Sequence, residues 1–192
     1  GLRRVTIPQT ACDWQLSSLF CDSYQMITNI VVADNVTRLG NSIFAGCRSL
    51  RHVELPDGIT TIGFSAFSGC TNLSSITLPT QLSAVEKGMF ANCKSLLRLD
   101  IPSSVTNVGD NAFYNCTSLS QVSIPSSVQS ISSSAFASCN DAIYDTSTLP
   151  GLKLITGWVL GTTSELPEVL TIDGCRRGIL QYRYRSNVIG IY

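Results

Sequence analysis

Along most of its length the chain repeats one arrangement of apolar and polar positions. Near its first third, Val53 and Leu55 alternate with His52 and Glu54, the period of two expected of a short strand with one buried face. The alternation returns as Ile76 and Leu78, Leu99 and Ile101, and Val122 and Ile124. A proline follows each segment, at Pro56, Pro79, Pro102 and Pro125; lacking an N–H donor, it ends a strand ladder and turns the chain. A second apolar pair comes next: Ile59 and Ile62, Leu82 and Val85, Val105 and Val108, Val128 and Ile131. The pattern then predicts a short helical turn, as in 110–115, with Asp110 as its N-cap and Asn115 as its stop. Gly46 and Gly69 stand at that stop in other copies.

The repeat length is 23 residues. Phe44, Phe67, Phe90, Phe113 and Phe136 keep that step, each three residues before a member of the series Cys47, Cys70, Cys93, Cys116 and Cys139. A unit this short cannot bury its own apolar face, whereas stacked units bury a continuous column. The predicted fold is therefore a solenoid of stacked short parallel β-strands, with turns and short helical segments on the opposite side and the Phe and Cys ladders inside. Its regular part spans 27–139, where the earliest copy has Ala33 in the proline's place. Residues 1–26 read as an irregular N-terminal repeat or cap, because Phe20 and Cys21 are adjacent instead of three apart. Residues 140–192 read as an irregular insert followed by a divergent C-terminal repeat, all within one domain.

The pattern L-x-x-[VIL]-x-[LI]-P…[IV]-x-x-[IV]-x-x-x-[AM]-F-x-x-C, held from Ile27 to Cys139, resembles the leucine-rich repeat of BspA-like bacterial surface proteins. The resemblance implies a leucine-rich-repeat solenoid that is secreted or displayed at the cell surface, its leader removed or outside this chain. It also implies a non-catalytic role: attachment to host extracellular proteins such as fibronectin and fibrinogen, or to other bacteria. A structural spacer that projects another module from the cell is the alternative. A eukaryotic cell-surface receptor is a weaker third, for which the glycosylation tripeptides at Asn35, Asn72 and Asn115 are the only support.

Composition narrows the functions further. Thirteen basic and 13 acidic residues leave no net charge, and there is no Lys/Arg cluster, so nothing offers an electrostatic footprint for nucleic acid. No run approaches the ~18 apolar residues that span a bilayer, so no direct membrane insertion is expected. Eight cysteines suggest redox or metal chemistry. However, a metal site usually draws on short C-x-x-C pairs, and none exists, so no metal or other cofactor is expected. Disulfides between coils are conceivable at a strand spacing of about 4.8 Å. Yet equivalent side chains in a solenoid point in parallel, and five ladder cysteines cannot pair without a remainder. The ladder therefore reads as buried, inert thiols. Cys12, Cys21 and Cys175 lie off it; a Cys12–Cys21 bridge and free thiols in a cap both stay open.

Catalytic parts are lacking. His52 is the only histidine and stands on the outward side of its strand. Glu54 and Asp100, with Thr77 between them, are about two strand spacings or ~10 Å apart, without the cleft that acid–base chemistry needs. Phosphate-loop, serine-elbow and zinc-protease motifs are absent, and serines such as Ser103, Ser104, Ser126 and Ser127 serve turn backbone. No enzyme is expected. The candidate binding residues for a protein partner are the outward rows of the strands: His52, Ser75, Arg98 and Gln121 in one, Glu54, Thr77, Asp100 and Ser123 in the next. Of these only Arg98 is of the type that anchors interfaces, so the rows suit many weak contacts that multivalent display would add together. Trp14, Tyr24, Trp158, Tyr182 and Tyr184 are expected to close the ends of the column.

Overall fold

Each copy of the repeat forms one coil carrying up to two short strands, and the coils stack through two rows of parallel strands. The structure, a computed structural model, describes residues 3–147, 152–156 and 158–162. In chain order the strands are β1 (Arg4–Ile7), β2 (Asn29–Val32), β3 (Arg38–Leu39), β4 (His52–Glu54), β5 (Thr61–Ile62), β6 (Ala84–Val85), β7 (Arg98–Asp100), β8 (Asn107–Val108), β9 (Gln121–Ser123) and β10 (Ser130–Ile131). The first row holds β1, β2 and β4, then β7 and β9; the second holds β3 and β5, then β6, β8 and β10. Equivalent repeat positions face each other, Asn29 opposite His52 and Arg98 opposite Gln121. The second member of the repeat's second apolar pair thus ends a short strand of its own, which three-residue spacing does not announce.

Both rows lapse at one seam, between the coil of β4 and β5 and the coil of β6. The strand expected at Ser75–Thr77 does not form, although both residues are exposed as the alternation requires. Its copy has Ser75 where the strands that form have Asn29, His52, Arg98 and Gln121, so its first outward position brings the smallest side chain to cross-strand pairing. In the second row Gly63 N–H donates to Leu39 O at 2.9 Å and Gly109 N–H to Val85 O at 2.8 Å. Glu86 stands at the equivalent position of the coil beyond the seam and makes no such bond, although Ser132 N–H, with a side chain at the same position, reaches Val108 O at 2.9 Å. A Cβ on Gly63 would lie 2.7 Å from both Asn41 N and Gly40 C. Gly63→Ala is therefore expected to cost about 1–3 kcal/mol in urea unfolding. Gly58→Ala, with nothing within 4 Å, should stay within ~0.5 kcal/mol of the parent.

The helical turn expected at 110–115 is a run of tight turns. Tyr114 N–H closes locally on Asn111 O at 3.0 Å and Cys116 N–H on Phe113 O at 3.2 Å. Phe113 N–H and Asn115 N–H instead reach the next coil, donating to Ala135 O at 2.8 Å and Ala137 O at 3.0 Å. Donors shared in this way between one turn and its neighbour cannot build a helix. Asn115, like Gly46 and Gly69, has the left-handed φ of a stop. Asp110 caps nothing; its carboxylate accepts from Ser132 Oγ at 2.5 Å.

Inside the coils the phenylalanines form one file with centroid separations of 5.2, 5.3, 5.6 and 4.9 Å from Phe44 to Phe136. Beside it Cys70, Cys93, Cys116 and Cys139 each donate their thiol to the Phe carbonyl of the preceding coil, at 3.0–3.2 Å. Hydroxyls tie the coils from outside: Ser104 and Ser127 bond Leu82 O and Val105 O, the backbone duty expected of them.

The first coil departs from the period by two residues, since β1 pairs with β2 at an offset of 25 (Arg4 opposite Asn29). A short helix, α1 (Leu16–Phe20), and the 3-10 turn Cys21–Met26 take up the extra length. Leu16 N–H donates to Ile43 O as Phe44 N–H donates to Ala66 O, so Leu16 holds the place of the phenylalanine there. Tyr24 lies over Gly46 at that end, whereas Trp14 is 59% exposed and closes nothing. At the other end Trp158 is buried on the hairpin of β11 (Leu152–Ile155) and β12 (Trp158–Thr162). Tyr182, Tyr184, Cys175 and the expected C-terminal repeat lie outside the described residues.

Candidate binding face

Strand alternation sets the outer face of the first row. Val53 and Leu99 turn into the core, which leaves His52 and Glu54 on β4, and Arg98 and Asp100 on β7, in solvent. Gln121 and Ser123 on β9 lie directly across from Arg98 and Asp100. All eight candidate residues are exposed, but Ser75 and Thr77 fall at the seam, on extended chain outside the strand ladder. The face also extends further than the rows named from sequence. Asn29 and Val31 on β2 pair with His52 and Glu54, and Arg4 and Thr6 on β1 pair with Asn29 and Val31. The apolar Val31 at an outward position hides this continuation in the sequence.

On β7 the two charges of the face are matched within the strand, and on β4 an imidazole stands beside the carboxylate. Asp100 Oδ2 accepts from Arg98 Nε at 3.1 Å and Nη2 at 2.9 Å, and His52 Nε2 lies 3.4 Å from Glu54 Oε1. Every partner is more than half exposed, so such a pair adds at most about 1 kcal/mol to stability. Its larger effect is to cancel the local field. Asp100 faces the Arg98 guanidinium and Glu54 the His52 imidazole, not a shared cleft. Among the described residues no group of three His, Cys, Asp or Glu side chains is placed to hold a metal ion.

Thiol chemistry is suppressed along the ladder from Cys47 to Cys116. Burial pushes Cys47 and Cys93 up to about 12 and Cys70 well above its ordinary value. The neighbouring Cys139 thiol, and then burial, push Cys116 up as well, while half-buried Cys139 is pushed down by Cys116. Cys12 is buried, Cys21 is exposed, and both are free thiols, so the bridge left open by the sequence does not form.

Among the described residues no helix is long and apolar enough to cross a membrane. No curated protein matches the sequence. Solved structures do. A leucine rich cell surface protein from Faecalibacterium prausnitzii superposes with a TM-score of 0.56 at 28% identity, over 71% of this chain and 35% of that one. A leucine-rich repeat protein from Bacteroides ovatus gives 0.50 at 28% identity, over 62% and 36%. The leucine rich repeat protein of T. pallidum, at 24% identity and a TM-score of 0.52 over 67% and 62%, shares the fold. The chain thus spans about a third of the first two proteins. Residues 17–142 match the family described as BspA type Leucine rich repeat region, in six copies. With the 23-residue coils, the inner Phe file and the paired parallel strands already in place, that match settles the family: the chain belongs to the BspA-type leucine-rich repeat proteins, a family of bacterial surface proteins.

Proposed function

We propose that this chain is a non-catalytic binding module of a secreted or surface-displayed protein, and that it attaches to host extracellular proteins or to other cells through the first-row strand face. The observation that carries the reading is the exposure of both outward rows along two short parallel sheets and the extended chain between them, whose packing is done by the inward residues. Repeat scaffolds present such faces for protein recognition. Weak, polar contacts from Asn29 through His52 and Arg98 to Gln121 would gain strength from multivalent display. Passing the purified chain over immobilised fibronectin and fibrinogen should give saturable binding. Arg98→Ala should weaken it by roughly fivefold, the ~1 kcal/mol of a single interface contact.

One observation favours a second reading, the spacer. Arg98 and Asp100 already satisfy one another, and Glu54 has the His52 imidazole beside it, which leaves little at the centre of the face for a partner to gain. Non-saturable retention on both proteins, unchanged by Arg98→Ala, would support the spacer over the binding module.

A further inference from the structure

We propose that a second site, beside the strand face and sharing only Asn29 with it, binds the carboxylates of an acidic peptide segment, a reading that does not depend on that of the face. The site is a depression of about 500 Å³ beside the start of the first strand row, lined by Arg3, Met26, Thr28, Asn29, Arg51 and Asn72 among others. Hydrogen bonds fix its layout. Thr28 N–H donates to Arg3 O and Arg51 N–H to Thr28 O, so Arg3, Thr28 and Arg51 are one repeat position in three successive coils. The two arginines therefore flank a small residue, with backbones about 10 Å apart at ordinary strand spacing.

The lining carries donors and no carboxylate. Among the described residues Arg38 is paired with Asp13, Arg98 with Asp100 and Lys153 with Asp141, whereas neither Arg3 nor Arg51 has an acidic partner. Asn29 Oδ1 accepts the Thr28 hydroxyl at 2.8 Å, which leaves its amide N–H groups for a ligand. Two guanidinium forks and an amide donor match the acceptor-only chemistry of carboxylates. The choice of a peptide over a sulfated glycan or an anionic membrane rests on shape and on Met26. At about 500 Å³ the recess takes a short run of side chains and is not a flat surface for a membrane, and the 54% exposed thioether offers an apolar contact beside the cations. A glutamate brings a carboxylate on an aliphatic stem; a sulfated sugar brings no such stem. The fold does not require the charges, since Ser74, Leu97 and Ser120 take the Arg51 position in later coils.

The test is fluorescence anisotropy of the whole chain with a labelled, end-blocked hexaglutamate peptide, its hexaglutamine counterpart and a heparin hexasaccharide. Hexaglutamate should bind, weaken as salt shortens the Debye length, and lose about tenfold in affinity in the Arg3→Ser/Arg51→Ser variant. Hexaglutamine should not bind. Lys94→Thr removes one charge at an exposed position where other coils carry Thr71 and Thr117, and should leave binding unchanged. An unchanged thermal midpoint confirms that the double variant folds. Equal loss in Lys94→Thr, equal binding of the two peptides, or arginine-dependent binding of heparin alone overturns the proposal.

Discussion

Phe90→Ala is expected to cost about 3–5 kcal/mol of unfolding free energy, the largest effect of any single side chain in the column. The ring is fully buried, and lies 5.3 Å from Phe67 and 5.6 Å from Phe113 with interplanar angles of 3° and 4°. Truncation removes two ring contacts worth about 0.5–1.5 kcal/mol each beyond their buried area, and opens a cavity between coils held apart by their own backbones. In a stack where each unit contacts only its neighbours, that loss weakens two interfaces at once. Tyr114→Ala, at a ring 41% exposed, should change stability far less. Urea unfolding followed by circular dichroism measures both, and an unchanged Phe90→Ala midpoint would mean that the rings do not support the stack.

Alkylation should separate the cysteines by orders of magnitude. At pH 8 the rise of Cys93 from 9.0 to about 12 cuts its thiolate fraction by roughly 10³ relative to the unfolded chain, before access is considered. Iodoacetamide labelling read by mass spectrometry should therefore mark exposed Cys21 first and spare Cys47 and Cys93 until the chain unfolds. In denaturant without reductant at least five free thiols should be counted; fewer would mean an oxidised ladder. The same shift predicts alkaline instability. Below about pH 9 the thiols are neutral in both states and their contribution is complete. Above it the unfolded chain releases protons that the folded one retains, so stability falls between about pH 9 and pH 12. A flat stability profile across that window, or labelling of Cys93 at the rate of Cys21, would refute the assignment.

The parts of the fold that were legible in the sequence are those repeated with a side chain of fixed type. Phe67, Cys70 and Pro79 recur because every coil asks the same packing or backbone question at that position, so the period, the inner ladders and the first strand row could be read directly. What escaped depends on relations between coils. The second row is two residues long, too short for an alternation to show. The seam falls where Ser75 and Glu86 stand, each unremarkable alone. In the first coil the adjacent Phe20 and Cys21 suggest broken register, while Leu16 quietly takes the ring's place. The eight face residues were placed outward by alternation alone, but their pairing into Arg98–Asp100 and His52–Glu54 depends on rotamers that no periodicity encodes.

The seam has a mechanical consequence. Pulling along the stack loads successive coils in series, so every junction bears the same force. Elsewhere that force falls on strand pairs in at least one row; at the seam it falls on turn bonds such as Phe67 N–H to Met89 O and Ser83 N–H to Thr60 O, and on the contact between Phe67 and Phe90. The rod is therefore not uniform in tension: it is two stiff blocks joined by a compliant link, with the link placed between the two ion pairs that mark its outer face.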